Sequence, residues 1–302
     1  MKSLVSYFEN PKLFLMYFSR AFPDKLYLKI LFRLKMGYKL NLKNPKTFSE
    51  KLQWLKLYDR KPEYTTMVDK YAVKKYVANI IGEEYIIPTI GIWNNPNDID
   101  WNSLPEKFVL KTTHGGGSSG VVICKDKSTF NKEKAIDKLS SSFKSNIYIR
   151  YREWPYKNVP KRIIAEKFME ISSAKKNDDL PDYKFYCFGG NPVYCQVIRD
   201  RRTKETIDFY DMEWNHMPFV GLNSAVQNGT NPVEKPICLK NMIEVCKKLS
   251  QNTPFSRIDL YVIDNKVYFG EITFYPASGL GKFKPNEWNY KLGNMIELPN
   301  CV

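Results

Sequence analysis

Phe108–Asp126 reads FVLKTTHGGGSSGVVICKD, and the fold turns on what its glycines do. Gly115, Gly117 and Gly120 match G-x-G-x-x-G, a dinucleotide fingerprint. Gly116, Ser118 and Gly120 match G-x-S-x-G, a hydrolase nucleophile elbow, with an overlapping H-G-G-G run. A dinucleotide fingerprint opens a helix, because the helix N-terminus holds the pyrophosphate. Here Val121, Val122, Ile123 and Cys124 follow, a β-branched run that reads as a strand. The elbow also needs a strand-to-helix turn, and its oxyanion loop belongs elsewhere in the chain. His216 is the one base in reach of that reading for Ser118, and nothing else supports it. No Gly-Lys-Ser/Thr follows the glycines, which excludes a Walker A loop. What remains is strand, glycine loop, strand. Backbone N–H groups in such a loop can fold over a polyphosphate. Lys111 ends the first strand, where a point cation would meet phosphate. The alternative is a structural hairpin with a generous turn, and the motif alone does not separate the two.

A second feature tips the balance. Asp259 in RIDLY and Glu271 in FGEIT lie on two strands joined by a tight turn at Asp264–Asn265. Antiparallel pairing can make the two carboxylates neighbours on one face. Two carboxylates plus phosphate oxygens are a ligand set suited to Mg²⁺. The flanks LYVI and VYF are apolar, so the pair reads as buried, and a buried carboxylate pair without a cation is costly.

Composition sets the outer bounds. The 302 residues are 43% hydrophobic and 26% charged, an ordinary globular balance with room for two or three subdomains. No apolar run reaches the roughly 18 residues of a membrane span. The N-terminus shows no signal-peptide pattern, so the expected location is cytoplasmic. Six scattered cysteines form no C-x-x-C and read as reduced packing residues. The net charge is +15, and residues 1–75 carry 17 basic against 6 acidic residues. That excess attracts a membrane surface, nucleic acid or a phosphorylated substrate; the alternative is a solvated basic face.

The pattern along the chain is α+β, with antiparallel sheets and a helical, basic N-terminal region. Residues 24–36 form an amphipathic basic helix with Leu26, Ile30, Leu31 and Leu34 on its apolar side. It is expected to pack on its own domain, with an anionic membrane surface as the alternative. Thr47 and Glu50 form a capping box before Phe48, Leu52 and Leu55. A helix is expected from about Val68 to Ile81, ending at Gly82, and another over 129–144. YIIPTIGIW and KRIIAEKFME read as strands. Gly189–Gly190 turns a hairpin within DYKFYCFGGNPVYCQVIRDR. CLKNMIEVCKKLS reads as an amphipathic helix.

In this order the segments MVDKYAVKKYV, FVLKTTHGGGSSG, IIAEKFME, DYKFYCFGG and RIDLYVIDNKVYFGEITFYPASG resemble the ATP-grasp enzymes. The wording LNLKNPKTFSEKLQWLKLYDR, LPEKFVLKTTHGGGS and GEITFYP is similar to one branch, the TupA-like proteins named for teichuronopeptide biosynthesis. The resemblance runs from about Phe22 to Leu298. It implies an ATP-grasp fold, with ATP held between two antiparallel-sheet subdomains. The divisions it suggests are a helical region over 1–65, a first α/β subdomain over 66–105, a glycine-loop subdomain over 106–165 and a C-terminal subdomain over 166–302.

The resemblance also implies roles. Lys70 and Lys111 resemble the two ATP lysines, and Gly115, Gly116, Gly117, Ser118, Ser119 and Gly120 the loop over the β- and γ-phosphates. His114 and Ser118 would then be phosphate-side donors. Glu166, Lys167, Phe168 and Met169 resemble the hinge that reads adenine. Lys184 lies on the strand lining the phosphate end, and Asp259, Glu271 and Thr273 resemble the Mg²⁺ ligands. Arg199, Arg201 and Arg202 would meet the γ-phosphate or the acid substrate, or form a solvated basic turn. Many such ligases carry Glu-x-Asn and then an arginine two residues on; here Thr273 and Tyr275 stand at those positions. The missing charge would have to come from Arg199–Arg202 or from Arg257.

The implied activity is an ATP- and Mg²⁺-dependent carboxylate–amine ligase of cell-surface or capsular polysaccharide assembly. It would join an amine or amino acid to a sugar acid, with no nucleic-acid partner. The basic N-terminal region would suit a lipid-linked acceptor or the inner face of the plasma membrane. The alternatives are a glycosyltransferase of the same pathways, a kinase on the same fold, and a non-catalytic nucleotide-binding or membrane-docking protein.

Overall fold

The computed structural model describes residues 22–170, 182–199, 205–222 and 225–300. Arg201, Arg202 and Cys301 lie outside these residues.

The N-terminal part is helical. Helix α1 spans Asp24–Met36 and ends at Gly37, which takes φ 87°. It packs by Leu28, Phe32 and Met36, while Leu26, Ile30 and Leu34 face outward. The sequence-based apolar face was therefore the outer one. Both lines repeat every fourth residue, and they differ by two positions, or about 200° of helix rotation. Spacing alone cannot say which line meets the core.

Helix α2 (Phe48–Tyr58) starts at the expected capping box, with Thr47 and Glu50 bonded reciprocally. Its first residue, Phe48, meets the rings of Tyr186, Phe188, Phe255 and Phe283. The helix expected over 68–81 starts only at Ala72, and Val68 closes a separate helix before it. Helix α3 (Glu63–Val68) stops at Asp69, and α4 (Ala72–Ile81) begins three residues later. Asp69 accepts from the Tyr71 N–H at 2.9 Å and pairs with Arg162 at 2.5 Å. The Lys70 N–H goes to the Thr113 carbonyl at 3.1 Å. These bonds take the groups a continuous helix would use.

Two antiparallel sheets follow. The smaller contains β1 (Thr89–Trp93), β2 (Phe108–Thr112), β3 (Val121–Cys124) and β4 (Ile163–Lys167), in the order β1-β4-β2-β3. The glycine loop joins β2 to β3, strand to strand, as the β-branched run after Gly120 requires. Helix α5 (Lys132–Lys144), capped by Asn131, packs on this sheet with Ala135 and Leu139 in its core. Helix α6 (Ile147–Tyr151) leads back toward β4.

The larger sheet contains β5 (Asp182–Phe188), β6 (Asn191–Arg199), β7 (Thr206–Asp211), β9 (Phe255–Ile263) and β10 (Lys266–Thr273), in the order β10-β9-β5-β6-β7. Strand β8 (Val220–Gly221) pairs separately with β11 (Phe283–Lys284). The β5–β6 turn is Gly189–Gly190, and the β9–β10 turn is Asp264–Asn265, with φ 49° and 61°. Helix α7 (Leu239–Ser250) buries Met242, Val245, Cys246 and Leu249 against the sheet. Helix α8 (Glu287–Asn294) crosses α2 so closely that a Cβ on Gly293 would lie 2.3 Å from the Lys46 carbonyl oxygen. Among the described residues five cysteines are free, four of them buried. No described helix is long and apolar enough to cross a membrane.

Candidate active site

A cleft of about 900 Å³ opens between the two sheets. Its floor on the larger sheet is built by strand register. Lys184 on β5 pairs with Asp259 on β9, and Asp259 pairs with Glu271 on β10, so three charged residues stand in a row across three strands. One pleat away on the same face, Tyr186, Arg257 and Thr273 form the next row.

The row depends on a β-bulge. From the turn outward the pairs are Lys266–Ile263 through Phe269–Leu260, and the next is Glu271–Asp259. Gly270 is the extra residue. In regular register, with no bulge, Asp259 would pair with Gly270 and Glu271 would point to the other face. A side chain on Gly270 would put its Cβ 2.9 Å from the Asp259 carbonyl oxygen and 3.1 Å from the Tyr261 ring.

Cations fill the spaces between the acids. Arg257 makes two bonds to Asp259, at 2.6 and 2.7 Å, and reaches Glu271 at 3.2 Å and Thr273 Oγ1 at 3.1 Å. Lys184 bonds to both Asp259 and Asp182. Lys70 reaches across to Glu271 at 3.1 Å and to the Gly115 carbonyl at 2.9 Å, tying the glycine loop to the acids. Burial alone would raise the Glu271 carboxyl, but Lys70, Arg257 and Lys184 outweigh it and hold it well below the usual carboxylate range. Burial likewise opposes the charge on Arg257, and Asp259 and Glu271 reverse that, keeping the guanidinium charged.

The opposite wall comes from the smaller sheet. Glu166 on β4 is buried and pairs with Lys111 of β2 and Lys74 of α4, each at 2.5 Å. Lys111 and Lys74 overcome its burial and keep the carboxyl below its ordinary range. Of the stretch 166–169, Glu166 lines the cleft. The Lys167 N–H bonds instead to the Pro88 carbonyl, and the Phe168 ring lies under Lys125. Gly116, Gly117, Ser118 and Ser119 face the cleft, and Gly117 adopts φ 63°. Gly115 and Gly120 have a packing role: Cβ atoms there would lie 2.3 and 2.1 Å from Thr112 Oγ1.

Two expected residues sit elsewhere. His114 is 4% exposed, and its ring stands edge-on to Phe143 of α5, behind the loop rather than in the cleft. Arg199 does not line the cleft; its guanidinium is held by Asp208 at 3.1 Å and the Asn231 carbonyl at 2.7 Å. Arg257 does line the cleft and places a positive charge beside Glu271.

Burial pulls the His114 imidazole down from 6.5 to about 4, with Lys161 adding to the effect. The folded state therefore favours the neutral ring, and its contribution is complete above the unfolded value near 6.5. It is lost as pH falls from there toward 4, about 3 kcal/mol in all. Melting temperatures at neutral pH and near pH 4.5 should fall more steeply for the wild type than for His114→Gln. Equal slopes would refute the assignment.

Sequence reasoning missed Lys74, which stands on α4 just past the break between α3 and α4 that carries Lys70. It also missed the far end of the cleft. There Lys56 is buried and donates to Gln53 Oε1, the Tyr151 carbonyl and the Ser278 carbonyl, at 3.1, 3.0 and 2.7 Å. Burial lowers its ammonium to about 8, against the pull of Glu153, and raises the Glu153 carboxyl. Ser278 Oγ donates to Glu153, and both line the cleft. Ala277 and Ser278 have φ 46° and 56°, strained values for residues with side chains, as at many ligand-holding turns.

The family profile TupA-like ATPgrasp matches residues 50–297, most of the chain. The chain belongs to the TupA-like ATP-grasp family. That span contains Lys70, Lys111, the glycine loop, Glu166 and the Asp259–Glu271 pair. Among solved structures, D-alanine–D-alanine ligase from Helicobacter pylori matches with 16% identity, 85% of this chain, 70% of that chain and a TM-score of 0.43. The ATP complex of the Bacillus anthracis enzyme matches with 18% identity, coverages of 76% and 63%, and a TM-score of 0.42. Phosphoribosylamine–glycine ligase from Thermotoga maritima matches with 17% identity, coverages of 70% and 48%, and a TM-score of 0.40. The chain thus spans from about half to just over two thirds of those proteins. No curated protein matches the sequence.

Proposed function

We propose that this TupA-like ATP-grasp protein is an ATP- and Mg²⁺-dependent carboxylate–amine ligase. The observation that carries the reading is the row Lys184–Asp259–Glu271 with Arg257, facing Lys70, Lys111 and the glycine loop across one cleft. Lysines from two walls suit a polyphosphate, and loop N–H groups suit its terminal oxygens. Glu166, beside Lys111 and Lys74, would meet the amino edge of the base, with the 166–169 stretch as the adenine side.

The donor set fits Mg²⁺. Two adjacent carboxylates share one face, with Thr273 Oγ1 beside Glu271. Among the described residues no group of three or more His, Cys, Asp or Glu is placed to hold a metal ion by itself. Asp259 and Glu271 would hold the ion, and phosphate oxygens would complete its shell. Bound there, the ion neutralises charge on the polyphosphate.

In the reaction a substrate carboxylate oxygen bonds to the γ-phosphorus and ADP leaves. The resulting acyl phosphate is attacked by an amine nitrogen; the C–N bond forms, inorganic phosphate departs and the nitrogen loses a proton. Arg257 and Lys184 hold charge at the phosphoryl end, and the glycine loop keeps water from the acyl phosphate. The setting the family's name points to is cell-surface polysaccharide assembly, with a uronic acid or similar carboxylate joined to an amino acid. The site for that acid is the end formed by Glu153, Tyr156, Arg257 and Ser278.

The test is incubation with Mg-ATP and a pool of uronic acids and amino acids, reading product mass and nucleotide release together. ADP release with an amide-mass product is expected, and Glu271→Gln should lower it by more than about 100-fold. A phosphorylated product that forms without any amine would make the protein a kinase. Sugar transfer from a nucleotide sugar, with no ATP use, would overturn the reading.

A further inference from the structure

Helix α1 has two apolar lines, and the packed one is explained. Leu28, Phe32, Met36 and Leu40 form a small core with Leu42, Leu57 and Leu280. The other line is open: Phe22, Leu26, Ile30 and Leu34 are 40%, 45%, 41% and 67% exposed. Leu26, Ile30 and Leu34 recur every fourth residue and make a strip along the helix, with Phe22 exposed just ahead of it. Around it the surface is basic. Between residues 22 and 46 stand Lys25, Lys29, Arg33, Lys35, Lys39, Lys43 and Lys46, all exposed. The single acid in that span, Asp24, is already paired with Arg60 at 2.6 Å and Arg152 at 2.8 Å. The cations therefore have no acidic counterpart on their own segment.

We propose that α1 docks on an anionic lipid bilayer, with Leu26, Ile30 and Leu34 entering the headgroup boundary and the surrounding lysines and arginine binding lipid phosphates. Charge decides among occupants. A second copy of the chain would bring seven cations against seven. Residues 1–21 hold Lys2, Lys12 and Arg20 against Glu9, so covering the strip with them would add positive charge rather than neutralise it. A nucleic acid would use the cations and leave the strip in water. An acidic bilayer satisfies both, since interfacial helices combine a leucine-rich face with basic flanks.

The docked helix is tied to the cleft. The Tyr27 hydroxyl donates to the Arg150 carbonyl at 2.8 Å, and Tyr148 donates to Asp24 at 3.0 Å. Ile147, Arg150 and Tyr151 of the same short helix α6 line the cleft. Docking would hold that wall next to the bilayer, which, on the ligase reading, favours a lipid-borne acceptor.

The test is sedimentation of the full chain with vesicles of phosphatidylglycerol and phosphatidylcholine in equal parts, and with phosphatidylcholine alone. Binding is read without ATP turnover, so it stands or falls apart from the ligase reading. Binding to the mixed vesicles only is expected. Replacing Leu26, Ile30 and Leu34 together by serine should weaken it about tenfold with no change in melting temperature or ATP affinity. Lys29→Glu with Arg33→Glu should weaken it similarly. Absence of binding, equal binding to both vesicles, or unaltered binding by the serine variant would each overturn the proposal. So would a clear fall in that variant's melting temperature, which would mean that the chain itself covers the strip.

Discussion

Gly270→Ala is expected to lower ATP turnover by about 100-fold, the cost of shifting one reacting group by roughly 1 Å. The new Cβ would press on the Asp259 carbonyl oxygen at 2.9 Å and on the Tyr261 ring at 3.1 Å. The first neighbour is backbone and cannot rotate aside. Relief must come from opening the bulge or moving β10, and either displaces Glu271 from Asp259. Mg-ATP affinity by titration calorimetry should fall together with turnover, and far-ultraviolet dichroism should stay native. A Gly270→Ala protein with wild-type turnover would show that the bulge does not position Glu271.

Arg257→Ala carries the second large effect. The guanidinium is buried and serves Asp259, Glu271 and Thr273 at once. Removing it leaves two carboxylates on adjacent strands with Lys184 and Lys70 alone for compensation. Breaking a buried pair from one side costs about 3–5 kcal/mol, which urea denaturation would read directly. Arg257→Lys is expected to recover only part, since a point charge cannot make the two parallel bonds to Asp259. Full recovery by lysine would mean that charge alone matters there. Added Mg²⁺ should offset part of the loss in Arg257→Ala, because it would supply positive charge between the same oxygens.

What could be read in advance follows from the range of the interactions involved. The Thr47–Glu50 box, the Gly189–Gly190 turn and the Asp264–Asn265 turn depend on a few adjacent residues, and all three form as expected. The strand after Gly120 was legible for the same reason, because β-branched residues bias the backbone locally. The bulge was not foreseen, although a glycine inside a strand is its usual mark. Counting from the two-residue turn would have exposed the problem: regular pairing sets Asp259 opposite residue 270, not 271. Arg199 was misplaced because its partners, Asp208 and Asn231, lie on other elements. His114 was misplaced because its burial depends on α5, which folds over the loop from outside the motif. The inner and outer faces of α1 look alike to any periodicity count.

The junction between α3 and α4 has a mechanical consequence. Asp69 is locked to Arg162 just ahead of β4, and the next N–H, from Lys70, is bonded to Thr113 at the end of β2. The smaller sheet is thus fastened at two adjacent points to the junction that carries Lys70 and leads into α4 with Lys74. A pivot at this seam would have to break both bonds. Movement over the cleft would then fall to the span between Gly115 and Gly120, whose root is pinned by the Thr112 N–H to the Gly120 carbonyl at 3.0 Å. The molecule would work less like a jaw than like a flap on a fixed frame.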